Sequence, residues 1–171
     1  MANKTILQSI NEALDQMMDK DESIVVYGED VGYEGGVFRT TPGLQKKYGE
    51  DRVFDTPIAE AAIVGSAVGM AVNGLKPVVE MQFSGFSLPA YNQIVTHVAR
   101  FRNRSRGKYH LPLVIRMPYG GGVKALEHHS ESREALYAHT PGLKVVIPSG
   151  PRNARALLHS AIQDPDAVIY H

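Results

Sequence analysis

The chain contains no cysteine, carries no net charge and has no apolar run long enough to span a membrane. Without cysteine there is no disulfide framework, no thiolate metal site and no cysteine nucleophile, a composition suited to a reducing compartment. Eighteen Lys and Arg balance eighteen Asp and Glu, so no global field argues for nucleic acid or an anionic membrane. The start, Met1-Ala-Asn-Lys-Thr5, lacks the apolar core of a signal peptide, and a cytoplasmic protein is expected. No G-x-G-x-x-G, Walker lysine loop or G-x-S-x-G elbow occurs, which removes three common α/β chemistries. Internal repeats and low-complexity tracts are absent as well.

What is present is an ordinary globular composition. The 171 residues, 43% hydrophobic and 21% charged, fit one domain with a substantial core. Ile6, Leu7, Ile10, Leu14, Met17 and Met18 recur at helical spacing, predicting an amphipathic helix that ends near Lys20. Short β-rich runs follow at 24–27, 52–55, 77–81, 113–117, 144–147 and 167–170. Between them lie helical patterns from Glu60 to about Gly74, from Ser87 to about Arg104, from Ser132 to Ala138, and from Pro151 onward, where proline suits the first turn. A Gly-rich polar loop runs from Glu29 to Gly43. Apolar strands alternating with helices predict an α/β fold: a mainly parallel sheet flanked by helices and buried on both faces. Such sheets bind ligands beyond the carboxyl ends of their strands. Glu29, Glu60, Phe83, Phe86 and the Gly120 loop all follow strands in that way; the strand order is not readable.

The segment Ala61 to Asn73 has no charged side chain, and Ala61, Gly65, Gly69 and Asn73 line one helix face. Glu60 stands at its mouth. It is either an acid favoured by the helix dipole in the first turn or a carboxylate held for one hydrogen bond in a cleft. The small-residue face either packs in the domain's own core or receives another helix across an interface. Gly120-Gly-Gly122 reads as a flexible loop or an anion cradle. The basic run Arg100, Arg102, Arg104, Arg106 and Lys108 lies at a helix end, where cations are favoured anyway, and suits a subunit contact better than nucleic acid. His128 and His129 are either exposed loop residues or a proton donor to a substrate.

Taken together, Gly28-Glu-Asp-Val31, Gly36-Val-Phe-Arg39, Arg52-Val-Phe-Asp-Thr-Pro-Ile-Ala-Glu60, Gly74-Leu-Lys-Pro77, the Gln82–Phe86 stretch, Pro118-Tyr-Gly-Gly-Gly122 and His139-Thr-Pro-Gly-Leu-Lys-Val-Val-Ile-Pro148 carry a resemblance that runs from end to end. The chain resembles the beta subunit of the thiamine-diphosphate-dependent decarboxylating component of 2-oxo acid dehydrogenase complexes. In that family an N-terminal pyrimidine-binding domain of the transketolase type precedes a separate C-terminal domain. The resemblance implies that residues 1–171 are the first domain and that the C-terminal one is absent from this chain.

It further implies a shared thiamine diphosphate site. The alpha subunit would bring the Gly-Asp-Gly motif for diphosphate and magnesium. Glu60 would hydrogen-bond a pyrimidine ring nitrogen, and a deeply placed acid with a raised pKa would suit the proton exchange that activates the thiazolium carbon. Phe86 would stack on the pyrimidine with Phe83 as a wall, and Glu29 would belong to a polar channel joining two active sites. His129 would face the substrate or the lipoyl acceptor. Leu113, Ala161, Ile162, Asp164 and Asp166 match a structural potassium site of some relatives, Asp166 standing where one pattern has Asn. Implied partners are the alpha subunit, a second beta subunit and a lipoylated acyltransferase, with no nucleic acid and no membrane. The implied reaction is oxidative decarboxylation of pyruvate. Branched-chain 2-oxo acids and acetoin are the alternatives, a sugar-phosphate synthase with a similar domain fits less well, and a non-catalytic α/β interaction module is the reading from another class.

Overall fold

A computed structural model describes residues 4–171. Helix α1 (Ile6–Lys20) opens with a capping box, in which the Thr5 hydroxyl accepts the Gln8 N–H at 3.2 Å and the Gln8 amide oxygen accepts the Thr5 N–H at 3.0 Å. Then come β1 (Ile24–Gly28), α2 (Leu44–Tyr48), β2 (Val53–Asp55), α3 (Glu60–Val72) and β3 (Lys76–Glu80). After an irregular helical stretch follow α4 (Phe101–Arg104), β4 (Val114–Arg116), α5 (Glu134–Ala138), β5 (Lys144–Val146), α6 (Pro151–Gln163) and β6 (Val168–Tyr170). No helix among the described residues is long and apolar enough to cross a membrane.

All six strands pair in parallel, in the order β2-β1-β3-β4-β6-β5. The expected α/β sheet is therefore present, with both faces covered. One face packs Ile24, Val26, Val78, Val114 and Val168 against Leu14 and Met17 of α1 and Leu158 and Ile162 of α6. The other packs Val25, Val79, Ile115 and Ile169 against Ile63, Val64 and Ala67 of α3 and against Ile94 and Val98. Successive strand residues point to opposite faces, so each run of β-branched residues serves both cores. Chain direction across the sheet reverses at β1, whose neighbours are β2 and β3, and the crevice above this reversal is where an open parallel sheet receives a ligand.

One expectation needs correcting, and one short element was not expected. The region from Ser87 to Arg104 is not one α-helix. It comprises a 3-10 turn (Ser84–Ser87), a π-helical stretch (Gln93–Val98) in which the Ala99 N–H reaches back five residues to Ile94 at 2.9 Å, and the short α4. An extra residue per turn keeps Ile94 and Val98 buried; side-chain spacing alone cannot reveal it. The loop from Glu29 to Gly43 is followed by α2, a single turn and a half that has too few apolar positions to register as periodic.

Neighbouring strands β3 and β4 end in a directly paired couple, Glu80 and Arg116. Their side chains form an ion pair at 2% and 4% exposure. An uncompensated charge at that depth is costly. Arg116→Met should therefore destabilise the chain by about 3–5 kcal/mol, whereas the double replacement of Glu80 and Arg116 by apolar residues of similar volume should recover most of the loss, measured by urea unfolding.

Candidate functional site at the carboxyl edge of the sheet

Each strand delivers its following residues to the same edge. After β1 comes Glu29, buried at 5% exposure with its Oε1 lacking a hydrogen-bond partner. Burial pushes its carboxyl above the usual range, and the charges of Glu60 and then Asp30 add to the rise. The loop carrying Glu29 is tied down from both sides. Asp55, ending β2, accepts the N–H groups of Gly32 at 2.6 Å and Tyr33 at 3.2 Å, and Asp30 accepts from the Gln82 amide at 2.9 Å. Thr41 donates its hydroxyl to the Val31 carbonyl at 2.7 Å within the same loop.

Glu60 is the first residue of α3, and no side chain caps that helix start. It is half-buried, which corrects the expectation of a deeply placed acid at Glu60; the deeply buried acid is Glu29, expected only as part of a polar channel. The reason lies in α3 itself. Only Ile63, Val64, Ala67 and Ala71 of the helix are buried, while Ala61, Gly69 and Asn73 are exposed and Gly65 is half-buried. The small-residue face is therefore largely open.

After β3 the chain turns Phe83 inward and leaves Phe86 half-buried. Their rings meet edge to face at 5.2 Å, and His129, from the loop after β4, packs against Phe83 at 4.7 Å and Phe86 at 4.8 Å. The structure thus unites three predicted residues from distant parts of the chain. Phe38, assigned no role from sequence although it lies in the quoted Gly36–Arg39 motif, completes the cluster at 5.3 Å from Phe83. Phe38, Phe83, Tyr119, Val123 and His129 line a cleft of about 190 Å³. The His129 Nδ1 lies 3.0 Å from the Leu126 carbonyl and 2.7 Å from that of Glu127. Two acceptors there require Nδ1 to carry the proton, which leaves Nε2 as the basic nitrogen of the neutral ring. The triplet Gly120-Gly-Gly122 runs into a 3-10 turn, Gly121–Val123, and two of its residues line this cleft.

The potassium candidates sit at the other edge of the sheet. The Leu113 carbonyl accepts the Val168 N–H at 3.0 Å, the Ala161 carbonyl accepts the Asp164 N–H at 3.3 Å, and Ile162 is buried. Asp164 binds Lys144 through both oxygens at 2.7 Å, and Asp166 pairs with Arg102 at 2.5 Å. Both carboxylates are thus ion-paired, and the Leu113 and Ala161 carbonyls each accept one N–H and keep a second lone pair. Beside them a cavity of about 370 Å³ is lined by Arg102 and Arg106 of the basic run.

The model of the transketolase pyrimidine-binding domain matches residues 3–171. The chain belongs to that family. This pyrimidine-binding domain is 66% identical over 170 residues to the pyruvate dehydrogenase E1 component subunit beta of Acholeplasma laidlawii, covering 99% of the chain and 52% of that protein. It is 57% identical to the subunit of the same name from Mycoplasma pneumoniae, over 96% of the chain and 50% of that protein. A 3-methyl-2-oxobutanoate dehydrogenase subunit beta of Mycobacterium tuberculosis is 54% identical, over 97% of the chain and 48% of that protein. Among solved structures, a split gene transketolase described as an inactive beta4 tetramer superposes with a TM-score of 0.78 at 21% identity, covering 99% of the chain and 51% of that one. The domain spans about half the length of the curated relatives it matches.

The raised pKa of Glu29 has a definite sign in stability. The folded state binds its proton more tightly than the unfolded chain, so Glu29 costs stability as pH rises from the ordinary carboxylate range through its folded pKa. Glu29→Gln should raise the melting temperature at neutral pH and leave it nearly unchanged well below pH ~4, as read by calorimetry across pH.

Proposed function

We propose that this chain is the pyrimidine-binding domain of the beta subunit of a 2-oxo acid dehydrogenase decarboxylating component, acting in oxidative decarboxylation of pyruvate and reductive acylation of a lipoyl group. One observation carries the reading: an aromatic cluster with a histidine, Phe83, Phe86 and His129, and two acids, Glu29 and Glu60, lie at the carboxyl edge of the sheet in a chain so similar to pyruvate dehydrogenase beta subunits. The residues fit the aminopyrimidine half of thiamine diphosphate, a flat heterocycle needing an aromatic face and an acid at a ring nitrogen. When bound, that cofactor supplies the thiazolium carbon that adds to the 2-oxo carbon and holds the charge left by decarboxylation.

Glu60 would hold the pyrimidine through a ring nitrogen and supply or take up a proton there; its partial exposure leaves the carboxylate open to a ligand. Phe86 offers its half-exposed ring as the stacking face and Phe83 backs it. His129 presents Nε2 to substrate or to the lipoyl acceptor, and Glu29 serves as a proton reservoir in a polar channel toward a second site. The diphosphate and magnesium fall to an alpha subunit, and onward transfer falls to a lipoylated acyltransferase, all in the cytoplasm. Potassium, in this reading, would be held by oxygens among Leu113, Ala161, Ile162, Asp164 and Asp166. The 54% identity to a branched-chain relative supports that substrate class as the second reading.

Reconstitution tests the proposal. The beta subunit containing this domain, mixed with a matched alpha subunit, thiamine diphosphate and magnesium, should reduce an artificial acceptor with pyruvate, and the domain alone should not. Turnover by the domain alone would sink the shared-site reading. In the assembled enzyme Glu60→Gln should keep cofactor binding better than activity and slow exchange of the thiazolium C2 proton; an unchanged exchange rate would remove the role given to Glu60.

The open face of α3 is the proposed seat of a partner helix. Gly69 probes it cleanly, since a side chain there meets nothing within 4 Å, whereas Gly65 faces Gln93 at 3.5 Å. Gly69→Leu should leave the domain folded and abolish assembly in sedimentation. Normal assembly would put the interface elsewhere.

A further inference from the structure

The loop that delivers His129 is strained, and something must hold it. Lys124, Glu127 and His128 all adopt positive φ, at 56°, 37° and 64°, a conformation that side-chain-bearing residues avoid. This backbone is what aims the Leu126 and Glu127 carbonyls at Nδ1 of His129. Two residues brace it. Gly85, in the turn between Phe83 and Phe86, lies directly against the loop: a Cβ added there would overlap the His128 carbonyl and come within 2.8 Å of a Glu131 carboxylate oxygen. The Glu131 carboxylate in turn accepts from Nδ1 of His128 at 3.1 Å and from Nε of Arg133 at 2.7 Å. The hydrogen bond from Arg133 keeps that carboxyl below its usual range. The turn is anchored from beneath, where the Ser84 N–H donates to the Pro118 carbonyl at 2.8 Å and Ser87 is bonded to the buried Tyr137 hydroxyl.

We propose that Gly85 and Glu131 are positioning residues for His129: together they clamp the strained loop so that the imidazole is locked as the Nδ1–H tautomer with Nε2 turned to the cleft. Neither is hydrogen-bonded to the imidazole. Both act through the backbone of residues 126–128. The assignment rests on the role given to His129 above, but the clamp itself can be read without turnover.

Nitrogen-15 NMR of the labelled chain, with the His129 signals assigned through a His129→Gln control, reports the tautomer at a pH where the ring is neutral. The parent should show the Nδ1–H signature. Glu131→Ala should lose it in favour of the Nε2–H form that an unconstrained histidine side chain prefers, with circular dichroism unchanged, and Glu131→Gln, still an acceptor for Arg133, should retain it. Gly85→Ala should behave like Glu131→Ala; if it does not fold, the Glu131 pair still decides. An Nδ1–H signature that survives Glu131→Ala overturns the proposal. In the reconstituted enzyme, a shifted tautomer with unaltered turnover would instead remove the role of His129 and leave the clamp standing, so the two failures are told apart.

Discussion

Parallel pairing of β1 with β3 governs where every other group can lie. Five residues stand in register, from Ile24 beside Lys76 to Gly28 beside Glu80. Because the strands run the same way, Glu29 and the Phe83 turn leave the sheet at the same edge and from neighbouring positions. The approach is close: a Cβ at Gly28 would come within 2.5 Å of the Glu80 carbonyl oxygen. Directly across, Glu80 is paired with Arg116. Shifting this register by one residue would turn the apolar side chains of β1 to the wrong faces and part the acid from the aromatic wall.

The two acids divide their physical tasks by depth. Glu29 is enclosed, has an oxygen with no partner and holds its proton more tightly than a free carboxyl. Glu60 is reachable from outside, at the start of a helix whose outer face carries almost nothing larger than alanine. Beyond Glu60 the helix carries no charge, and with Ala61, Gly69 and Asn73 exposed it has little reason to be so apolar in isolation. Its composition makes sense against a second surface, and that surface would also finish enclosing Glu60.

Much of this was legible in the sequence, for identifiable reasons. Strands rich in Val and Ile alternate with helices such as α1 and α6, whose apolar spacing is unambiguous, so the parallel α/β class followed directly. The order of strands did not, because pairing is a long-range choice that local patterns do not encode. The π-helical stretch at Gln93–Val98 was hidden since one additional residue per turn leaves the apolar spacing nearly intact. In the site, Glu29, Glu60, Phe83, Phe86 and His129 were named through the resemblance and the positions after strands. Phe38 and Glu131 were not: Phe38 meets Phe83 and Glu131 meets Gly85 only once the chain has folded, with no spacing to betray either contact. The depth of Glu60 was misjudged because a helix free of charge looks equally apt for a core or for an interface.

The packing of α1 against α6 bears on how the chain is made. The first helix, with Leu14 and Met17 on its inner face, meets its neighbour only once residues from Pro151 onward exist. Strand β6 is likewise the last strand formed, yet it sits between β4 and β5. During synthesis the ribosome therefore releases β5 before β6, its pairing partner among the described residues, and α1 before its α6 cover. Until the end of the domain emerges, the four strands β2-β1-β3-β4 have an unpaired β4 edge and lack the α6 cover of one face. Such a topology folds late and is exposed to aggregation while it waits.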